Sequence, residues 1–211
     1  MFAQYPFQPA PLPYDYIALV PHCDPDTLYV HYDKIYSQDL QTLNYLLTQY
    51  PMYQSWSLMQ LITGKINLPT TVVNNIKYYA GSVYTHELFF CTLCGSPTPP
   101  SGRLAKQIDN SYGSLSNLQD IVKQAALNVL GAGWVWLIAE QDGSLHIIIT
   151  QNYEIPRISN SVCIFALDVW EHAYFFPYPA DISAYINNWF SVLDWNKAEK
   201  NYLKAIQSPS A

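Results

Sequence analysis

The chain has 211 residues, a length that fits one large domain or two small ones. Half of its residues are hydrophobic and 15% are aromatic, whereas only 12% are charged, and this composition excludes an intrinsically disordered chain. The formal net charge is −6 with ten lysines and arginines in total, too few to build the basic face of a nucleic-acid-binding protein. No apolar run approaches the ~18 residues that a membrane-spanning helix requires.

The first sixteen residues, MFAQYPFQPAPLPYDY, contain neither the basic stretch nor the apolar stretch of a secretory signal. We therefore expect a cytoplasmic protein whose four cysteines stay reduced. Cys91 and Cys94 form a CxxC pair, but this pair follows a long helical pattern, whereas redox-active pairs lie at the start of a helix. A zinc site of this type would need a second pair, which the sequence lacks. The sequence predicts ordinary thiols.

Apolar residues recur at helical spacing from Asp24 to about residue 128. Asp24 is suited to cap a helix that begins at Pro25, passes His31 and ends before Pro51. A second long helix is predicted from residue 69 or 71 to residue 93, and spacings of three and four place its apolar residues on one face together with one histidine. That face contains Ile76, Tyr79, Val83, His86 and Phe90.

The loop GSPTPPSG at residues 95–102 is rich in residues that break helices, and it predicts a domain boundary. We expect an N-terminal arm and helical domain over residues 1–94 and a C-terminal domain over residues 103–211. Within the second domain, helices are predicted at 103–110, 116–128, 182–188 and 196–205, and strands at 134–140, 145–150 and 162–167. Gly143 supplies the positive φ of a hairpin turn between the first two strands.

Four residues are candidates for a metal site. His31 and His86 lie within the two long predicted helices, and two neighbouring helices can direct one imidazole each toward a shared cavity. Asp168 ends a predicted strand and His172 follows four residues later, where a tight loop can turn both side chains toward one point. Imidazole and carboxylate suit iron, manganese or zinc. Spacing alone leaves open the alternative that each histidine is a packed or capping residue.

Several segments, in this order along the chain, resemble the iron/manganese superoxide dismutase family. The resemblance extends over about residues 11–205, and its segments in the first half are Leu12-Pro-Tyr, Pro21-His22, Thr27-Leu-Tyr-Val-His31-Tyr-Asp-Lys34, Leu43-Asn44, Ala80-Gly-Ser and Thr85-His86-Glu-Leu-Phe-Phe90. The more specific segments of the second half are Gly131-Ala-Gly-Trp134-Val-Trp136-Leu and Asp168-Val-Trp-Glu-His172-Ala-Tyr174, followed by Tyr185, Trp189 and Asp194-Trp195-Asn196.

The resemblance implies an α+β fold in which an N-terminal helical hairpin precedes an α/β domain with a three-stranded antiparallel sheet. It implies one iron or manganese ion per chain, a bound water or hydroxide, and four protein ligands: His31, His86, Asp168 and His172. Trp134 and Trp170 would form aromatic walls of the cavity. Glu171 and Tyr174 would reach the partner subunit of a homodimer.

The residues around this site depart from the family pattern. Ile35 and Asp39 stand where the resemblance implies a gateway histidine and a gateway tyrosine. The glutamine that donates a hydrogen bond to the bound water is absent from both of its family positions, which hold Ser82 and Tyr153. Ile182 replaces an arginine near the mouth of the site. Because the tyrosine hydroxyl can both donate and accept, Tyr153 is the residue that we expect to take over the role of the glutamine, although it could simply be packed there.

Three functions are therefore compatible with the sequence. The first is an active superoxide dismutase, an oxidoreductase with an antioxidant role that acts on superoxide as its small-molecule substrate. The second is a metal-binding relative with weak or different redox activity, which the altered surroundings of the site favour. The third is a scaffold or interaction protein on the same fold, and the four intact ligand positions argue against it. The sequence does not choose between iron and manganese.

Overall fold

The first long helix begins at Asp24 and changes its winding in the middle. The structure, a computed structural model, describes residues 5–156, 160–179 and 181–207. The Asp24 carboxylate accepts a hydrogen bond from the Thr27 amide at 2.8 Å, so the predicted cap is confirmed. The helix then runs through α1 (Pro25–Tyr29), a π-helical segment (Val30–Tyr36) and α2 (Ser37–Thr48). The π winding, a feature that often marks functional sites, was not apparent from the apolar spacing.

The second long helix, α4 (Thr70–Cys91), packs against α2 and completes the helical hairpin. Its predicted face is largely confirmed, because Ile76, Val83, His86 and Phe90 are buried, although Tyr79 is half-buried. The short helix α3 (Leu58–Thr63) covers α4 and begins with a capping box between Ser57 and Gln60. Two 3₁₀ turns, Tyr16–Leu19 and Pro51–Tyr53, complete this half. The sequence did not predict α3 or the turns, because they are too short to show a period.

The sheet contains β1 (Gly133–Ala139), β2 (Leu145–Gln151) and β3 (Val162–Asp168), so each predicted strand is confirmed to within one residue. All pairs are antiparallel and the strand order is β2-β1-β3, with every residue of the central strand β1 buried. Gly143 has φ of 89° in the predicted hairpin turn. The register of β1 and β3 pairs Trp134 with Asp168.

Helices cover the sheet and connect it to the hairpin. They are α5 (Gly102–Tyr112), α6 (Leu115–Leu127), α7 (Glu171–Tyr174), α8 (Ile182–Phe190) and α9 (Trp195–Gln207). Helix α9 packs on β3, α6 contacts β1 and β2, and α4 of the hairpin also reaches β3. The domain boundary between residues 94 and 103 stays a prediction. Within the described residues, no helix is long and apolar enough to cross a membrane.

Gly81 on α4 marks a close approach between the hairpin and the loop after β2. A Cβ atom at Gly81 would lie 2.3 Å from the Tyr153 carbonyl oxygen. Gly81→Ala should therefore lower the free energy of unfolding by about 1–3 kcal/mol, the usual cost of overpacking, instead of adding helix propensity. Denaturant unfolding would measure this, with Asn75→Ala at an exposed position of the same helix as the control. A Gly81→Ala protein as stable as the control would contradict the close contact.

Candidate metal centre

The four predicted ligand residues meet at one point. His31 comes from the π-helical segment, His86 from α4, Asp168 from the end of β3 and His172 from α7. One potential ligand atom from each lies within 4.8 Å of all the others. The Asp168 Oδ2 atom is at the centre of this group, 3.1 Å from Nε2 of His31, 3.3 Å from that of His172 and 3.9 Å from that of His86. Among the described residues, no second group of this kind converges.

Two of the imidazoles are buried with an unused lone pair. His31 and His86 are 3% and 0% exposed, and their Nε2 atoms make no well-formed hydrogen bond to any described residue. Burial lowers the pKa of His31, although the Asp168 carboxylate opposes this shift. Burial, followed by the effect of the neighbouring His31, lowers the pKa of His86 well below its ordinary value. Both rings are therefore neutral at pH 7, which is the form that binds metal ions.

Asp168 supplies the negative charge of the site. Burial alone would raise its pKa, but His172 and His31 together hold the pKa of this carboxyl below its usual range, so the group is ionised. Its Oδ1 atom accepts a hydrogen bond from the Trp170 amide at 2.8 Å. The Tyr185 hydroxyl donates to the Asp168 carbonyl oxygen at 2.9 Å. These bonds fix the end of β3, and Oδ2 is left to face the three imidazoles.

The direction of the His86 ring is set by its own helix. Nδ1 lies 2.9 Å from the Ser82 carbonyl oxygen, one turn earlier on α4. Because a carbonyl only accepts hydrogen bonds, Nδ1 carries the proton and the lone pair is on Nε2, which faces Asp168. This is how metal-binding histidines are commonly oriented. Three imidazoles and one carboxylate, with two buried nitrogen atoms lacking a partner, fit an iron, manganese or zinc ion.

Aromatic rings pack against the group of four candidate ligands. Trp134 contacts His86 edge-to-face, with ring centroids 5.5 Å apart. Trp170 stacks on His172 at 5.5 Å and on Tyr153 at 4.6 Å, with interplanar angles of 21° and 14°. Tyr153, Trp134 and Trp170 therefore lie beside the candidate ligands. Their catalytic roles stay predictions.

Asp39 and Ser82, which stand at positions where the sequence departs from the family pattern, contact each other. The Ser82 hydroxyl donates a hydrogen bond to Asp39 Oδ2, and Ser82 is fully buried whereas Asp39 is half-buried. Tyr153 interacts with the Ser82 hydroxyl, and burial followed by the nearby Asp168 and Asp39 charges raises its pKa, so the phenol stays protonated. Burial raises the pKa of Asp39 as well, against the opposing effects of Ser82 and His172.

This Asp39–Ser82 contact was not foreseen. The four-residue spacing from Ser82 to His86 on one helix face was the signal that connects Ser82 to the site. Ile35 and Ile182 are half-buried and bring no polar group to the place of the residues that they replace.

The four cysteines, all within the described residues, are free thiols, and burial raises the pKa of Cys91 at the end of α4. The prediction of ordinary thiols stays a prediction.

Comparison with known proteins matches both halves of the chain. Residues 6–94 match the alpha-hairpin domain of the iron/manganese superoxide dismutases, and residues 100–201 match their C-terminal domain. A protein named superoxide dismutase [Mn] from Thermus aquaticus is 34% identical over 199 residues, which cover 94% of this chain and 98% of that protein. One of the same name from Acinetobacter baylyi is 34% identical over 213 residues, covering 98% and 92%. Superoxide dismutase [Mn] 2 from Bacillus cereus is 33% identical, covering 96% and 97%.

Removing one ligand should abolish metal binding. Asp168→Ala and His86→Ala each take away one of four donors, so purified protein should contain little iron or manganese. The melting temperature should no longer rise on adding Mn²⁺, because a metal that binds only the folded state stabilises it by about 2.7 kcal/mol at a concentration of 100 times its Kd. Elemental analysis and thermal unfolding measure both effects.

The matched control for this experiment is His146→Ala. His146 is a half-exposed histidine in β2 that pairs with Glu140 and lies outside the group of four. This variant should retain the metal and the increase in melting temperature. Full metal occupancy in both ligand variants would overturn the assignment of the site.

Proposed function

The chain belongs to the iron/manganese superoxide dismutase family, and we propose that it converts superoxide to hydrogen peroxide and oxygen at a single iron or manganese ion. The observation that carries this proposal is the convergence of His31, His86, Asp168 and His172, with two buried Nε2 atoms that have no hydrogen-bond partner among the described residues. The similarity to manganese superoxide dismutases over most of the chain supports it.

In this proposal the four side chains hold the ion, which supplies one-electron redox chemistry by alternating between two oxidation states. Asp168 contributes the negative charge, and the three histidines contribute nitrogen donors. The main-chain bonds to Asp168 and His86 fix the donors before the ion binds, so little ordering is required on binding. Trp134 and Trp170 line the site beside His86 and His172.

Superoxide would approach from the side of His172. This residue has a side chain that is 17% exposed, whereas the other three ligand side chains are at most 3% exposed. Tyr153 is near this side through its stacking on Trp170. Because its phenol stays protonated, we assign to the Tyr153 hydroxyl the role of hydrogen-bond donor inside the cavity, the role that the absent glutamine has in relatives.

One observation favours a second candidate function, a metal-binding relative with weak dismutase activity. Asp39 places a carboxylate beside the site, close enough to affect the pKa of Tyr153, in a protein whose net charge is already −6. A negative charge near the approach path opposes the entry of an anion such as superoxide and slows its association. The measured rate of dismutation separates the two candidates.

We also propose a homodimer formed through the surface around α7. Glu171 is exposed at the start of α7, next to His172, and Phe175 and Phe176 follow it with 52% and 72% of their surface exposed. Large exposed aromatic side chains are typical of interfaces. A carboxylate beside an imidazole across a two-fold axis would form two equivalent hydrogen bonds. Tyr174 would lack a gateway-histidine partner, because Ile35 occupies that position.

A cytoplasmic location with an antioxidant role is part of the same proposal. Its support is that the four cysteines are free thiols, as expected in a reducing compartment.

The direct test of the dismutase function is an activity measurement on protein loaded separately with iron and with manganese. We expect at least one loaded form to consume superoxide faster than the same concentration of the free ion, and Asp168→Ala treated identically to show no gain over the free ion. His146→Ala should match the wild-type protein. If neither loaded form exceeds the free ion although the metal is bound, the dismutase proposal fails and the second candidate is favoured.

Tyr153→Phe should lower dismutase activity while metal content and stability change little. Loss of a hydrogen bond to a charged group costs about 1.5–3 kcal/mol, which corresponds to roughly a 10–100-fold slower rate. Tyr78→Phe is the matched control, because Tyr78 contacts Tyr153 edge-to-face but is 40% exposed. Equal rates in both variants would show that Tyr153 only fills space.

The dimer proposal predicts that the protein sediments as a dimer at micromolar concentration. Phe176→Glu should shift the population to monomers, because it places a charge in an apolar interface, whereas Leu130→Glu, at an 82% exposed position before β1, should not. A wild-type protein that sediments only as a monomer would contradict the proposal.

A further inference from the structure

A continuous polar chain connects the half-exposed Asp39 to a buried ligand. Asp39 on α2 accepts a hydrogen bond from the hydroxyl of Ser82 on α4, and the Ser82 oxygen lies 3.1 Å from Nδ1 of His86. Ser82 and His86 are both fully buried. The chain therefore begins on one helix of the hairpin, crosses to the other and ends on the imidazole whose Nε2 atom faces Asp168.

The direction of each hydrogen bond in this chain is determined. The Ser82 hydroxyl donates its single proton to an oxygen of the Asp39 carboxyl group. The Ser82 oxygen is then an acceptor for the Nδ1–H group of His86, which it shares with the Ser82 carbonyl oxygen at 2.9 Å. A negative charge, a polarised hydroxyl and an imidazole N–H group are thus in series.

We propose that Asp39 and Ser82 are positioning residues that act through His86 to increase its strength as an electron donor to the bound metal. The inference rests on the proposed metal site. Carboxylates that accept from the distal N–H group of a metal-binding histidine make the ring more basic, and here the hydroxyl of Ser82 transmits that effect. Hydrogen bonds that end on a charge are strong, and burial strengthens them further.

The proposal has consequences for the ion itself. A more basic His86 holds Mn²⁺ more tightly and stabilises the higher oxidation state to a still greater extent, so it lowers the reduction potential. The polar groups at positions 39 and 82 thereby take part in tuning the metal although neither would touch it. A purely structural contact between α2 and α4 would affect the stability of the fold and leave both properties of the metal unchanged.

The test compares wild-type protein with Asp39→Asn, Ser82→Ala and the double variant. Asp120→Asn, which removes one negative charge at an exposed position on α6, is the control. The dissociation constant of Mn²⁺ alone is measured by competition with a chelator, and the midpoint potential by redox titration of loaded protein. Each single variant should bind Mn²⁺ about tenfold more weakly. Each should also shift the reduction equilibrium about tenfold toward the reduced ion, or about 59 mV for one electron.

The double variant distinguishes a connected chain from two separate effects. If the residues act in series, the double variant should shift no further than either single variant, and the control should not shift at all. A shift in Asp39→Asn without one in Ser82→Ala would mean a through-space charge effect and would overturn the chain. Unchanged affinity and potential in Asp39→Asn, whose half-exposed site tolerates the substitution, would overturn the proposal even if Ser82→Ala failed to fold.

Failure of this inference is separable from failure of the proposed function. Affinity and potential are measured without any superoxide, so an inactive protein can still give the expected shifts. A wild-type protein that binds no Mn²⁺ would overturn the metal site and this inference together. If the wild-type protein binds Mn²⁺ and all variants have the same dissociation constant and midpoint potential as the wild type, this inference alone is overturned.

Discussion

The ionised carboxylate of Asp168 is the feature on which the rest of the site depends. It is fully buried, and an unpaired charge in such a place would be strongly destabilising. The negative charge of Asp168 is compensated by His172 and His31 and by a hydrogen bond from the Trp170 amide. The same strand pairing that places Asp168 also pairs it with Trp134, so one candidate ligand and one ring beside the site depend on a single register. A slip of β3 by one residue would turn Asp168 to the opposite face of the sheet, away from the Trp134 side.

The remaining candidate ligands depend on the contact between the two halves of the chain. His31 and His86 come from the hairpin, and they reach Asp168 because α4 packs on β3. The π-helical winding around His31 changes the angular position of each residue relative to a regular helix, and it therefore influences which side chain of the first helix faces the site. Metal binding would then link the hairpin to the sheet, which is why removing the ion should cost stability as well as function.

Three of the residues that depart from the family pattern, Asp39, Ser82 and Tyr153, belong to one connected arrangement. Asp39 and Ser82 bond to each other, Ser82 also faces His86, and Tyr153 stacks on Trp170 while interacting with Ser82. Gly81, beside Ser82, lets the Tyr153 backbone approach α4 closely. A polar group has been retained next to His86, although its chemistry is now that of a carboxylate and a hydroxyl instead of an amide. This exchange adds negative charge near the candidate metal site. We expect that charge to strengthen His86 as an electron donor and to oppose the approach of an anion.

The hydrophobic pattern was sufficient to predict the strands, the long helices and the Gly143 turn, because each of these depends on residues that are close in the chain. The four ligand candidates were predicted from motifs that occur in the same order as in the family. The helix α3 was missed because six residues are too few to show a period. The π-helical winding around His31 was missed because the apolar residues of this segment do not distinguish it from a regular α-helix. The bond between Asp39 and Ser82 joins residues 43 positions apart on different helices. Its existence was decided by how α2 packs on α4, since a contact between two helix surfaces depends on their rotation and separation, which neither helix specifies alone.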